Sequence, residues 1–463
     1  EERVLVGKTL PAGGGILVVP SAEDEPLHSL FESSVVAGPD RTAVVTAEES
    51  VSYGELDARA NALAWHLRVA CGVGPESLVG LCVEPSVGML VGMLGIMKAG
   101  GAYVPLDPAY PEPRALVILD DCSAVTLVAH LLSIANWKAL NMRECVNIDT
   151  GGLLPSATKN TVSRIDQVGT PAYLIYTSGS TGQPKGVVEE HRQVTSTIRS
   201  QLKLLGTHFS ASSRSLLAAS YSFDASVSVI WTSFAVGASV VIPTKEVLLS
   251  EINSLIARER ITMLDCTPSL LALVDPQTAA QSVTLVICGG AAITPATITA
   301  WAGRSTLLNS YGPTEVSITS VQQECKVGME YPRSIGTPFP NLFAHVMSYN
   351  LTARGVPGEL VLSGRQVARG YHRMGRRTAV SFIATADEDR QYRTGDLCRW
   401  LPDGTLEFLG RIDQQIKLRG FRIELGEVES VVARCAGVEQ CVVVVRGLGE
   451  QEALVAYVIS SSA

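Results

Sequence analysis

Charge is scarce in this chain. Only 18% of its 463 residues are Asp, Glu, Lys or Arg, against 46% that are hydrophobic. A chain this long and this apolar can bury a large core, which excludes disorder as its overall state. Positive charge is the scarcer sign: 37 Lys and Arg stand against 45 Asp and Glu, a net charge of -8. That argues against a general nucleic-acid binder, which needs a basic surface to displace counterions. A single bound nucleotide needs only a few local cations. Paired cysteine spacing is missing. The ten cysteines are scattered from Cys71 to Cys441 with no C-x-x-C, which disfavours a structural zinc cluster. Several lie in apolar runs (Val286–Cys288, Cys441–Val445) and read as small buried hydrophobes, reduced as in a cytosolic protein. Long apolar runs are missing too. The longest, Val87–Ala99, contains Gly88, Gly92 and Gly95, carries Lys98, and is too short to span a bilayer. The start, Glu1-Glu2-Arg3-Val4, is too polar for a secretion signal. The expectation is a cytoplasmic protein with neither membrane nor nucleic acid as a partner.

What is present is order along the chain. At roughly 100–200 residues per domain, the length allows about two to four domains, or one large and one small. Residues 1–26, with Gly13-Gly14-Gly15 and Glu23-Asp24-Glu25, read as a leader or linker. From Leu27 onward, apolar strands alternate with helical patterns: Ala43–Thr46, a helix from Leu56, Leu78–Val83, the helix Val87–Ala99 ended by Gly100-Gly101, then Ala102–Leu106. The alternation repeats at Val125–Val128, Ala172–Tyr176, Leu216–Ala219, Ser239–Ile242, Met263–Cys266, Leu285–Cys288 and Thr306–Asn309. This is the pattern of βαβ units. After about Ser320 short strands such as Glu359–Ser363 and Leu406–Leu409 sit between Gly and Pro turns. The expected fold is α/β. A large N-terminal subdomain over 27–412 combines doubly wound sheets with a β-barrel-like layer. A small, partial α+β subdomain follows over 413–463.

Three clusters carry chemistry. The first is Tyr176-Thr177-Ser178-Gly179-Ser180-Thr181-Gly182-Gln183-Pro184-Lys185-Gly186, after an apolar strand. Small residues let backbone N–H groups approach phosphate oxygens, hydroxyls add donors, and Lys185 adds a cation. It is not a Walker loop, because no Ser or Thr follows the lysine. The second is Asn309-Ser310-Tyr311-Gly312-Pro313-Thr314-Glu315, at the end of a predicted strand, where ligands sit in open α/β sheets. Tyr311 can stack on a base, Thr314 can touch a phosphate and Glu315 can hold Mg²⁺. Taken alone, it reads as well as a turn with a solvated helix-start acid. The third is Tyr392-Arg393-Thr394-Gly395-Asp396-Leu397 with Gly410-Arg411-Ile412-Asp413. Asp396 can accept two hydroxyls, or can be a hairpin acid.

In this order the clusters resemble the adenylate-forming superfamily, specifically an adenylation domain of a nonribosomal peptide synthetase. Lys98-Ala99-Gly100-Gly101-Ala102-Tyr103, Phe223-Asp224-Ala225-Ser226, Gly358-Glu359-Leu360 and Ala368-Arg369-Gly370-Tyr371 extend the match over roughly residues 27–463. The resemblance implies a two-step enzyme. An amino acid carboxylate attacks the α-phosphate of ATP, and the acyl group then passes to the phosphopantetheine thiol of a peptidyl carrier domain. It implies that Thr177, Ser178, Thr181 and Lys185 handle the β- and γ-phosphates. Gly289, Gly290, Ala291, Asn309 and Tyr311 would surround adenine, and Thr314 would meet the α-phosphate. Glu315 would hold Mg²⁺, Asp396 and Arg411 the ribose, and Asp413 would be the hinge of a rotating small subdomain. The family's catalytic lysine, in an Asn-Gly-Lys motif, would fall beyond Ala463. An MbtH-like protein is a further candidate partner. No feature argues for a homo-oligomer, so a monomer within a larger synthetase is expected.

Aligned on the flanking motifs, the acyl pocket would be lined by Phe223, Asp224, Ala225, Ser228, Asp265, Val286, Cys288, Ser310, Ile318 and Thr319. The resemblance makes Asp224 the partner of the substrate α-ammonium. Asp265 is a second acid among small residues and must be paired, hydrated or neutral. A guanidinium would pair it, as in arginine- or capreomycidine-activating domains. Alternatively Asp265 caps a helix or binds a hydroxyl. The competing functions are an acyl- or aryl-CoA ligase of the same superfamily and a non-catalytic scaffold module.

Overall fold

The computed structural model describes residues 25–135, 137, 144–148, 168–179, 184–348, 355–384, 390–413, 415–418, 421–447 and 453–460. Thr181 and nearly all of the expected leader lie outside these residues.

Two sheets sandwich a layer of helices. One runs Gly370–Tyr371, Lys185–Glu190, Pro171–Thr177, Ala102–Pro105, Leu78–Cys82, Thr126–Ala129, Glu144–Asn147. It is parallel from Pro171–Thr177 onward and antiparallel at its first two pairings. The other is parallel through Thr306–Tyr311, Leu285–Gly289, Met263–Cys266, Arg214–Leu216, Ser239–Val241 and Thr42–Val45. Parallel strands buried on both faces need crossover helices, which is why the sequence alternates as it does. Beyond Thr306–Tyr311 this sheet turns antiparallel through Val321–Cys325, Ser334–Pro338, Leu406–Arg411, Arg390–Trp400, Gly358–Gly364 and Leu342–Met347. The β-rich layer expected after Ser320 is therefore hydrogen-bonded to the parallel sheet rather than a separate body.

The helix Val87–Ala99 shows how composition places an element. All its residues except Gly88 are buried, as expected of a helix apolar on every side. Ser86 caps its start, accepting from Met89 N, and Gly100 ends it at φ +93°. A Cβ at Gly92 or Gly95 would lie within 2.7 Å of Leu81 or Leu63, so the helix presses directly on a strand and on the neighbouring helix Tyr53–Val69. Its one charge, Lys98, is buried and paired with Glu32 at 2.6 Å and Asp57 at 2.8 Å. Trp231 and Phe234, on the helix Ala225–Val236, fill the same core with Phe31 and Tyr53.

The last strand of the large sheet ends at Arg411. A hairpin (Gln415–Leu418, Phe421–Glu424), the helix Leu425–Val432 and the paired strands Val438–Arg446 and Ala453–Ser460 follow. Glu429 ties helix to strand by accepting from Val443 N at 2.8 Å.

Candidate functional site

The site is assembled from strand ends. Thr177 closes the strand Pro171–Thr177, Lys185 opens the antiparallel strand Lys185–Glu190, and the two residues face each other in register. The Ser/Thr/Gly segment thus joins, in sequence, two strands paired antiparallel. Thr177 Oγ1 donates to the Lys185 carbonyl at 3.4 Å, and Ser178 is half-buried.

Strands Thr306–Tyr311 and Val321–Cys325 are antiparallel neighbours, with Tyr311 opposite Val321. Residues 312–320 form the loop between them, closed by Ser320 N–H donating to the Tyr311 carbonyl at 2.9 Å. Thr314 and Glu315 open a short turn of 3₁₀ helix. Glu315 is not solvated: it is fully buried, and its Oε1 accepts from Lys185 Nζ at 2.9 Å and from the Tyr371 hydroxyl at 2.9 Å. Lys185 Nζ also lies 4.8 Å from the centre of the Tyr371 ring, a cation–π contact. In the sequence Tyr371 stands out only as the end of an Ala-Arg-Gly-Tyr motif. The structure places it at the centre of this cluster.

The third cluster joins the second. Across the hairpin Arg390–Trp400/Leu406–Arg411, Asp396 stands opposite Arg411. Arg411 Nη1 donates to Asp396 Oδ1 at 2.8 Å, and the Tyr311 hydroxyl donates to Asp396 Oδ2. Burial, then Asp396, push the Tyr311 hydroxyl well above its ordinary range, so it remains a donor. Arg411 also grips Asp413 through Nε and Nη2, at 2.8 and 2.6 Å. Asn309 is buried and donates to the Ser334 carbonyl at 3.0 Å. Gly289 ends the neighbouring strand, Gly290 and Ala291 follow it, and a Cβ on Gly289 would touch the Ser310 carbonyl at 2.8 Å.

The second half of the same loop turns toward the expected acyl pocket. Thr319 N–H donates to the Ser317 carbonyl at 3.0 Å across Ile318, whose φ is +74°. This is the strained form of the γ-turn, costly for a β-branched residue at about 1–3 kcal/mol. Gly312 makes room for it, since a Cβ there would lie 2.1 Å from the Ile318 carbonyl oxygen.

Asp224 is half-buried at the N-terminus of the helix Ala225–Val236, with Ala225 half-buried beside it and Phe223 exposed. One turn on, Ser228 Oγ donates to Asp265 Oδ2 at 3.1 Å and meets Gln201, also at 3.1 Å. Nothing in the sequence around Gln201 marks it for this position. Asp265 does not cap the next helix; Thr267 does, accepting from Leu270 N. Burial pushes the Asp265 carboxyl up to about 7; the Ser228 bond opposes this and the charge of Asp224 adds to it. Two acids therefore act on one space.

Two expected pocket residues point elsewhere. Asp265 is in register with Ile287, and Ile287 packs with Met263 and Leu308 on the helix-layer side. Val286 and Cys288 have the opposite parity. They are buried on the far face with Leu264, Leu307 and Trp301. Ser310 stands two residues beyond Leu308 and accepts from Gln322 Nε2 at 2.8 Å. The inward side chain between Val286 and Cys288 is Ile287, which alignment by spacing alone missed.

No helix among the described residues is long and apolar enough to cross a membrane. Among them no group of three or more His, Cys, Asp and Glu is placed to hold a metal ion.

Residues 31–372 match the AMP-binding enzyme family. The chain is 40% identical over 94% of its length to tyrocidine synthase 3 of Brevibacillus parabrevis, covering 7% of that protein. It is 36% identical over 94% of its length to bacitracin synthase 3 of Bacillus licheniformis, also covering 7% of it. The chain thus spans less than a tenth of these relatives. Among solved structures, NpsA-ThdA, an artificially fused adenylation–PCP di-domain synthetase from Klebsiella oxytoca, shares the fold at a TM-score of 0.84. The match has 24% identity and covers 95% of this chain and 81% of that one. The nonribosomal peptide synthetase FmoA3 aligns at a TM-score of 0.77 with 27% identity, over 83% of this chain and 42% of that one. By the match over most of its length, and by the fold, this chain belongs to the AMP-binding enzyme family.

Proposed function

We propose that this chain is an adenylation domain: it activates an amino acid with ATP as an aminoacyl-adenylate and passes the acyl group to a carrier-domain phosphopantetheine thiol. The observation that carries the reading is the convergence of Tyr311, Asp396 and Arg411, drawn from three strands, beside the Lys185–Glu315 pair. Asp396 has acceptor sites left for ribose hydroxyls, since a carboxylate offers about four lone pairs. Tyr311 would stack with adenine, bounded by Gly289–Ala291 and Asn309. Thr177, Ser178, Thr181 and Lys185 would bind the leaving phosphates, and Thr314 the α-phosphate. Nucleotidyl transfer needs positioning and charge neutralisation more than covalent help. Glu315 fits Mg²⁺ only as one carboxylate complemented by nucleotide phosphates, and only with Lys185 drawn off toward those phosphates.

Asp224 would pair the α-ammonium and Asp265 a cationic side chain. The raised pKa of Asp265 supports this: burial disfavours its charged form, and a guanidinium would restore it. Arginine or a cyclised arginine such as capreomycidine is the substrate proposed. Asp413, which follows the last strand of the large sheet and is held by Arg411, is proposed as the hinge, and 413–463 as the moving part. A carrier domain, and an MbtH-like protein as a second candidate, are the proposed partners of a monomeric cytoplasmic module.

The test is amino-acid-dependent exchange of labelled pyrophosphate into ATP on the full-length protein, over basic, neutral, fatty and aryl acids. Exchange with arginine-like acids is expected. Exchange with aryl or fatty acids alone would make it a ligase of the other kind, and none with any acid would favour a scaffold.

A further inference from the structure

A carboxyl with no place in the nucleotide chemistry lies under the acyl-pocket wall. Glu189 is fully buried on the strand Lys185–Glu190, all of whose residues are buried. Residues 185, 187 and 189 share one face of that strand. Lys185 reaches Glu315, Val187 packs in the same apolar cluster as Val316, and Glu189 reaches Ser317. Three side chains in step thus hold three consecutive residues of the 312–320 loop.

The contacts of Glu189 fix its protonation by counting hydrogens. Its Oε1 accepts from Ser317 N–H at 3.3 Å. Its Oε2 lies 2.7 Å from Ser317 Oγ, which lies 2.8 Å from the Gln366 carbonyl oxygen. A hydroxyl has one hydrogen, and a carbonyl or an ionised carboxylate can only accept. With Glu189 ionised, one of these two short oxygen–oxygen contacts would have no hydrogen in it. With Glu189 neutral, its Oε2–H donates to Ser317 Oγ, and Ser317 Oγ–H donates to Gln366. Burial, with Asp224 and Glu190 nearby, pushes the Glu189 carboxyl the same way, well above the usual range, against the Ser317 bonds.

We propose that Glu189, held as a neutral carboxylic acid, is a positioning residue for the amino acid pocket. It pins Ser317, and through the strained turn at Ile318 it sets the wall formed by Ile318 and Thr319 relative to the Lys185–Glu315 pair. The role rests on the adenylation reading for the identity of the ligand, but not for the order of the loop.

The test compares Glu189→Gln with Glu189→Leu. The amide keeps an acceptor for Ser317 N–H and a donor for Ser317 Oγ; leucine keeps neither. Glu189→Gln is expected to leave hydrogen exchange of residues 312–320 and the amino acid KM as in the wild type. It should also remove from the infrared spectrum, at neutral pH, the carbonyl stretch of one neutral carboxylic acid. Glu189→Leu should speed exchange across 312–320 and raise the amino acid KM about tenfold, the size of one lost buried hydrogen bond, with the ATP KM unchanged. If Glu189→Leu does not fold, Ser317→Ala removes the same side-chain link from the loop and is expected to speed exchange there. Three results would overturn the proposal: no infrared band lost in Glu189→Gln, wild-type loop exchange in the leucine or alanine variant, or equal rises in both KM values. A wild type that activates no amino acid would instead overturn the adenylation reading, while the infrared and exchange measurements still judge Glu189.

Discussion

Lys185 and Glu315 are 130 positions apart in the chain and 2.9 Å apart in space, both buried. The pair ties the start of a strand in one sheet to a loop of the other. Burying two charges costs several kcal/mol each unless geometry is good and other hydrogen bonds help. Tyr371 supplies that help to both: it donates to Glu315, and its oxygen lies 3.3 Å from Lys185 Nζ. With both ions already desolvated, each is available to a charged ligand without further loss of water.

The first prediction concerns this pair. Lys185→Met strands a buried carboxylate and should lower stability by about 3–5 kcal/mol. The double change Lys185→Met/Glu315→Leu should recover much of that, because no charge is left unpaired. Denaturant midpoints for the singles and the double form a cycle that measures the coupling. Additive losses would show that the two charges do not stabilise each other. Nucleotide-dependent activity should be lost in all three variants.

Asp396→Asn is predicted to weaken ATP binding while leaving the order of amino acid preference unchanged. The change removes the charge that accepts from Arg411 and Tyr311. Charge-assisted bonds are worth roughly 1.5–3 kcal/mol each, so the loss in ATP affinity should exceed tenfold. Calorimetry with ATP checks it. An unchanged affinity would take Asp396 out of the nucleotide site.

Much of the fold was legible because local signals agreed. The helix Val87–Ala99 begins and ends where Ser86 and Gly100 punctuate it, and the strand Met263–Cys266 coincides with its apolar run. The grouping of the site was less legible. Tyr311 meets Asp396 across 85 positions only because the strands Arg390–Trp400 and Leu406–Arg411 are laid beside the parallel sheet through Ser334–Pro338. Strand parity was not legible at all. Spacing from a motif places residues to within one, and one residue changes the face. Glu189 gave a faint signal: an acid directly after Val187-Val188, in a strand short enough to be wholly buried, needs a partner, and nothing local to it named Ser317.

Asp265 makes a prediction about pH. Its carboxyl is held near 7 in the ligand-free fold, against an ordinary value of about 3.9 in the unfolded chain. The folded state therefore binds more protons than the unfolded one between those values. This contribution to stability is fully present below about pH 4 and is lost as pH rises through about 7. Asp265→Asn should abolish that step, and should therefore gain on the wild type as pH rises. A cationic substrate should reverse the trend for binding: its affinity for the wild type should rise as pH rises through about 7, where the carboxylate forms, and should not do so in Asp265→Asn. Neutral amino acids should show no such rise. Equal pH profiles for basic and neutral substrates would remove Asp265 as the partner of a cationic side chain.

The last prediction separates the two faces of the strand Leu285–Gly289. Ile287 shares the face of Asp265 and packs toward the helix layer, whereas Cys288 is buried on the other face with Leu264 and Trp301. Both are core residues, so a small truncation at either should cost stability. Ile287→Val removes one methyl group and should cost about 0.5–1.5 kcal/mol, and Cys288→Ala, which also deletes one buried heavy atom, should cost a similar amount. Their effects on specificity should differ. Ile287→Val deepens the space beside Asp265 and Ser228, and should shift the relative kcat/KM among amino acids of different length by about tenfold or more, since one methylene is worth about 1–3 kcal/mol in such a pocket. Cys288→Ala should leave those ratios alone, because its side chain faces away. Matching thermal unfolding of the two variants with their pyrophosphate exchange over a panel of amino acids makes the comparison direct: equal stability loss with a specificity change at Ile287 only is the expected result. A specificity change at Cys288 and none at Ile287 would restore the parity that spacing in the sequence suggested.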